Sequence, residues 1–64
     1  MQIMVNGTAT EVQGETLASV LGELGYGDAK IATAVNGDFV PAAARDVPLA
    51  PGDRVEIVAP RQGG

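Results

Sequence analysis

Residues Thr16 to Gly25 read TLASVLGELG, and they hold the one convincing helix signal in the chain. Leu17, Val20, Leu21 and Leu24 fall at i, i+3, i+4 and i+7, which lays four aliphatic side chains along one face of a 3.6-residue helix. Thr16 is placed to cap its start and Gly25 to end it. Ala18, Ser19 and Gly22 fall to the side of that stripe or on its far face. A helix with a single apolar stripe must bury it against something, and the flanking sequence supplies strands.

Upstream, Met1 to Val5 is a short apolar stretch followed by Asn6-Gly7, the strongest two-residue hairpin signal, and a return strand is expected over Thr8 to Val12 before Gly14. Downstream, Ile31, Thr33 and Val35 alternate with Ala32 and Ala34, so the two sets occupy opposite faces of a strand. A second Asn-Gly, at 36 and 37, turns this strand into Asp38 to Val40. Pro41 to Ala50 is an irregular connection interrupted by Pro41 and Pro48, with room for a short helical turn around Ala42–Ala44. Pro51-Gly52-Asp53 then forms a turn that launches Arg54 to Val58, with Val55 and Ile57 on one face and Glu56 and Val58 on the other.

The order is β-β-α-β-β-β. It predicts an α+β domain: a β-grasp with a mixed four- to five-stranded sheet packed on one helix. The N-terminal hairpin leads to the crossover helix and a returning strand parallel to the first, and the last strand lies centrally. Residues 1–59 form the domain and residues 60–64 a flexible Gly-Gly tail.

Composition narrows the functions open to such a domain. At 64 residues the chain is near the lower limit for a fold held by a hydrophobic core alone. With one Phe, one Tyr and no Trp, the core must come from Ile, Leu and Val, and a cavity large enough for a cofactor is not expected. The absence of Cys and His removes thiolate nucleophiles, disulfides, the usual zinc ligands and any imidazole acid or base. Glu11, Glu15, Glu23, Asp28, Asp38 and Asp46 show no spacing that gathers carboxylates around a metal. A net charge of −4 argues against nucleic acid and anionic membrane and favours a basic protein partner. With neither a long apolar run nor a signal-peptide pattern, the expected compartment is cytoplasmic.

What remains is the ending, Pro60-Arg61-Gln62-Gly63-Gly64. Gly is about 7% of average sequence, and 9 of 64 here, so a closing pair arises by chance in roughly 2% of such chains. A second candidate lies on the sheet. Strand alternation places Met4, Ala34 and Val58 on the face away from the helix, and an exposed apolar cluster on a small domain is a candidate docking surface. The plainer reading is that these are scattered surface hydrophobes. Asp53, Arg54 and Glu56 beside them either steer a partner or are simply solvated. Pro60, Arg61 and Gln62 are either partner contacts or linker. The two Asn-Gly pairs are read as turn chemistry only.

Taken together, Met1 to Val5, the block Val35-Asn36-Gly37 with Val40-Pro41, the block Pro51 to Val58 and the terminal Gly63-Gly64 resemble the ThiS family. These are the sulfur carriers of thiamin biosynthesis, themselves ubiquitin-like β-grasp proteins, and the resemblance spans the whole chain. It implies a protein that is not an enzyme and binds no cofactor. An E1-like adenylating partner of the ThiF type would spend ATP on the Gly64 carboxylate, a sulfur donor protein would supply sulfur, and the resulting thiocarboxylate would serve a ThiG-type thiazole synthase. Gly63 and Gly64 would then be the reactive end, with Met4, Ala34, Val58, Pro60, Arg61 and Gln62 meeting partners. The connection from Pro41 to Leu49 is richer in Ala than the family pattern, so no contact from it is carried over. The same fold and ending suit the small subunit of molybdopterin synthase, usually a longer chain, and a ubiquitin-like modifier joined to lysines; a plain interaction module would leave the tail incidental.

That chemistry has a physical reason to want this terminus. An α-carboxylate with a pKa of about 3.3 to 3.7 is ionised and a poor electrophile at neutral pH, and this chain has no group to activate it. The activating site must close tightly around the last residues to align carboxylate and phosphate. Bare glycines permit that approach. Residues 59 to 64, extended, reach roughly 20 Å.

Overall fold

Both Asn-Gly pairs make the turns their sequence predicts. Asn6 and Gly7 have φ of 50° and 85°, and Asn36 and Gly37 have 52° and 89°. Positive φ at both central residues is the signature of the type I′ turn, whose twist matches that of the strands it joins. The computed structural model describes residues 1–27 and 30–59. The first turn links β1 (Gln2–Val5) to β2 (Thr8–Glu11), and the second links β3 (Ala32–Val35) to β4 (Asp38–Val40). The helix α1 (Leu17–Glu23) lies between these hairpins, a 3₁₀ turn spans Ala42–Ala44, and β5 (Arg54–Val58) comes last. Among the described residues the strands form one five-stranded sheet in the order β2-β1-β5-β3-β4.

β5 lies in the middle, as the sequence predicts, and it is the strand that runs parallel to β1. The strand directly after the helix, β3, is expected to run parallel to β1 and does not: it is antiparallel to β5 and hence to β1. The registers explain why. Glu11 ends β2 opposite Gln2, whereas Ala32 begins β3 opposite Val58, at the other end of the sheet. The helical segment therefore makes one traverse and β3 must run back. A parallel partner for β1 needs a second traverse, which the connection after Val40 provides.

The helix begins and ends as its sequence dictates. Thr16 is the N-cap: its hydroxyl accepts from Ser19 N–H at 3.2 Å while the Ser19 hydroxyl accepts from Thr16 N–H at 3.1 Å, a closed capping box. A Cβ on Gly14 would lie 2.6 Å from Ser19 Oγ, so only glycine allows the chain this close to the cap. The Leu17 and Ala18 N–H groups donate to the Val47 and Arg45 carbonyls at 3.0 and 2.7 Å. Every N–H of the first turn thus has a partner, two of them from the connection that the sequence left irregular. At the other end Gly25, φ 93°, donates to Gly22 and Tyr26 donates to Leu21, the two bonds of a Schellman stop.

The core joins the helix stripe to the inner sheet face. Ile3, Val12, Leu17, Val20, Leu21, Val40, Leu49, Val55 and Ile57 are buried in one cluster without an aromatic ring, and Leu24, Tyr26 and Ile31 pack partly against it. Thr33 is the buried polar side chain among them. Its hydroxyl donates to the Val40 carbonyl at 2.8 Å and accepts from Arg45 Nε at 3.2 Å, while Arg45 Nη2 donates to the Ile31 carbonyl. Arg45 therefore ties the connection to β3. Glu23 plays a similar part at the surface: its carboxylate accepts from Gln13 N–H and Gly14 N–H at 2.9 to 3.0 Å. Those two backbone donors, Gln13 first, hold its carboxyl below the usual 4.5.

A domain of this size has a total stability of about 3–10 kcal/mol, at ~0.05–0.15 per residue. Leu17→Ala removes a fully buried side chain and is expected to cost about 2–5 kcal/mol. Equilibrium urea unfolding should show the midpoint falling by a large fraction with an unchanged slope.

Candidate functional site

β5 bears both candidate features: its outward side chains join the exposed face, and its end leads to the tail. The strand is anchored at its start by a turn. Pro51 and Gly52, φ 86°, occupy the centre of a type II turn closed by Asp53 N–H to the Ala50 carbonyl at 3.0 Å. Asp53 Oδ2 accepts from Ala50 N–H at 2.8 Å and Oδ1 from Asn36 Nδ2 at 3.1 Å. These two donors, the backbone one first, hold the Asp53 carboxyl below its ordinary 3.8. Asn36 Oδ1 also accepts from Arg54 N–H at 2.9 Å. At the other end Asn6 Oδ1 accepts from Ile57 N–H at 2.8 Å and Asn6 Nδ2 donates to the Ile57 carbonyl at 3.1 Å. Each Asn-Gly turn thus contributes an amide side chain to the main chain of β5.

On the outer face the strand registers bring residues together in rows. Ala9 pairs with Met4, Met4 with Arg54, Ala34 with both Glu56 and Phe39, and Ala32 with Val58. Phe39 and Val58, 69% and 63% exposed, are the large exposed hydrophobics among the described residues. Ala34 lies with Phe39 and Val58 along one shallow groove, as expected of a shared face, while Met4 lines a second with Arg54. Glu56 borders both grooves and stands between Met4 and the Ala34 cluster. The expected Met4, Ala34 and Val58 do share the face, but a charge divides them. Pro60, Arg61, Gln62, Gly63 and Gly64, the other expected site residues, lie outside the described residues, as does the tail of the fold expectation.

Among the described residues no group of three or more His, Cys, Asp or Glu is placed to hold a metal ion, and no helix is long and apolar enough to cross a membrane. The comparison with known families then decides the assignment: the model of the ThiS family matches residues 3–64. The chain belongs to the ThiS family.

Individual members agree over nearly their full length. The chain is 38% identical over 63 residues to the sulfur carrier protein ThiS of Thermus thermophilus, covering 97% of this chain and 98% of that one. It superposes on the crystal structure of the thiamine biosynthesis protein ThiS from Geobacter metallireducens with a TM-score of 0.83, at 28% identity and with all of both chains covered. The β-grasp expected from the order of elements is therefore the ThiS fold.

Three features of the outer face and of the strand that supports it escape a sequence reading limited to periodicity. Phe39 was legible in principle, since Val40 faces the core and its neighbour must face out; the Asp38–Val40 strand is too short to show the alternation plainly. The amide contacts of Asn6 and Asn36 carry no local signal, because the turns alone explain both residues. Asp53 reads as a turn residue, and its bond to Asn36 links positions 17 apart.

Asp53 gives this anchor a pH dependence. A depressed folded-state pKa means that its contribution is fully present above the unfolded value, 3.8, and is lost as pH falls through the folded value. Urea midpoints measured from about pH 6 down to about pH 2 should therefore fall less steeply in Asp53→Asn than in the wild type. Identical acid limbs would mean that the Asp53 charge plays no part.

Proposed function

We propose that this protein carries sulfur for thiazole formation in thiamin biosynthesis as a thiocarboxylate on Gly64, made and spent by partner enzymes. Membership of a family of sulfur carriers supports the coarser statement that it is a small carrier protein. The observation that carries the finer one is that the family match runs through to Gly64 itself, in a chain with neither Cys nor His to hold sulfur on a side chain. β5, paired on both sides, ends at Val58, six residues before Gly64 in the sequence.

The chemistry follows from what the terminus lacks. A Gly64 carboxylate oxygen attacks the α-phosphorus of ATP in an E1-like, ThiF-type partner; pyrophosphate leaves and an acyl-adenylate forms. A sulfur donor protein supplies the equivalent of hydrosulfide to the carbonyl carbon, AMP departs with the bonding pair, and a thiocarboxylate remains. That sulfur is a better nucleophile than the oxygen it replaced, and a ThiG-type synthase takes it up. The fold's part is to bind and to aim. Ala34, Phe39 and Val58 present one apolar surface and Met4 a second, with Glu56 between them and Arg54 beside Met4, which suits docking through apolar contacts oriented by charge. Gly63 and Gly64 let the end pass into a narrow site, where alignment with the phosphate is worth several kcal/mol of barrier. ATP belongs to the partner.

Deleting Gly64 moves the carboxylate one residue back while leaving the folded body intact. ATP–pyrophosphate exchange by the cognate activating enzyme is expected to fall to background with this variant. An unchanged rate would contradict the reading.

A further inference from the structure

The parallel ladder between β1 and β5 is short. It pairs Met4 with Arg54 and Val5 with Val55, and its last rung is Asn6 N–H to the Val55 carbonyl at 2.9 Å. β5 continues to Val58, but β1 has already entered its turn and offers no further residue in register. At Ile57 the Asn6 side chain takes the place of the missing strand, bonding both the N–H and the carbonyl of that residue at 2.8 and 3.1 Å. The opposite side of β5 remains paired with β3 as far as Ala32 against Val58. The final turn of strand before the tail is therefore held on one side by a ladder and on the other by a single amide from 51 residues away.

Asparagine suits this position better than its alternatives. The first central residue of the turn has φ 50°, which Asn, Asp and Gly tolerate and most others do not. Of these three, only Asn carries both a donor and an acceptor at the end of its side chain. Asp would keep the acceptor for the Ile57 N–H and turn a second acceptor toward the Ile57 carbonyl. Gly would keep the turn and lose both bonds.

We propose that Asn6 is a positioning residue for the chemistry at the chain end: its amide pins the last residues of β5 and so fixes where the carboxy-terminal segment leaves the fold. The inference rests on the reading of Gly64 as the activated group. With β5 pinned, the sequence beyond Ala59 is five residues long. If residues 57–59 came free it would be eight. Local concentration of a tethered end falls roughly as the −3/2 power of tether length, so lengthening alone lowers it about twofold, and loss of a fixed direction lowers it further. Docking through the outer face is a separate quantity. The Asn6 amide acts on the step after docking.

The second turn supplies a matched control. Asn36 has φ 52° and its amide also makes two bonds, accepting from the Arg54 N–H of β5 and donating to the Asp53 carboxylate just before the strand. Asn36→Gly likewise loses one accepting and one donating amide bond, and it leaves the bonds at Ile57 untouched. The experiment is ATP–pyrophosphate exchange by the cognate activating enzyme with the full-length chain varied in concentration, giving kcat and KM for each variant, beside amide hydrogen exchange at Ile57. Asn6→Gly is expected to lower kcat by about twofold or more, with KM little changed and Ile57 exchanging faster. Asn36→Gly should keep the wild-type kcat, and Asn6→Asp should fall between wild type and Asn6→Gly. If Asn6→Gly does not fold, Asn6→Asp against Asn36→Gly makes the same comparison. A wild-type kcat in the Asn6 variants, an equal fall in the Asn36 variant, or a change confined to KM would overturn the proposal while leaving the carrier reading standing. Failure of the wild-type chain to support exchange that requires Gly64 would remove both.

Discussion

Met4 beside Arg54 and Val5 beside Val55 form the pairing on which the whole domain turns. It joins the two ends of the chain, so its loop-closure cost is met only when nearly everything between is in place. It also puts the last strand in the middle of the sheet, with β1 on one side and β3 on the other. An edge position would have left β5 free to fray, and with it the point from which the tail departs. Val58, the last residue of β5, is thus held in the central strand of a small fold.

Around that strand the remaining structure is support. Among the described residues the core consists of nine aliphatic side chains, in a chain near the lower size limit for a fold held by a hydrophobic core, and hydrogen bonds tie the surrounding segments to it. Arg45 reaches Thr33 and Ile31, the connection's carbonyls cap the helix, and Glu23 gathers the Gln13 and Gly14 amides. The connection between Pro41 and Ala50 is irregular in its dihedral angles but not in its bonding. Most of its residues are exposed and only Leu49 is buried, while its backbone closes the helix start through Arg45, Val47 and the Thr16–Pro48 bridge.

Much of the fold was legible because it is written in local pattern. The Leu17, Val20, Leu21, Leu24 stripe, the Thr16 cap, the Gly25 stop and both Asn-Gly turns each follow from a few neighbouring residues, and all are present. The alternation of Val55 and Ile57 against Glu56 and Val58 likewise survives intact. The site was less legible. Met4, Ala34 and Val58 share a face, but the Glu56 that divides them depends on strand register, which alternation within one strand does not give. The Asn6 amide on Ile57 and the Asn36 amide on Asp53 are long-range contacts hidden behind residues already explained by their turns. Which strand runs parallel to β1 depends on how often the chain crosses the sheet, a count that the order of elements does not contain.

The carrier reading assigns the reactive atom to the chain end and the body to presentation. Fragmentation mass spectrometry of the intact protein, isolated from cells making thiamin, tests this most directly. One oxygen should be replaced by one sulfur, and only fragments that retain Gly64 should carry the change. Sulfur on fragments lacking Gly64, or a chain end that stays an unmodified carboxylate while thiazole is being made, would contradict it.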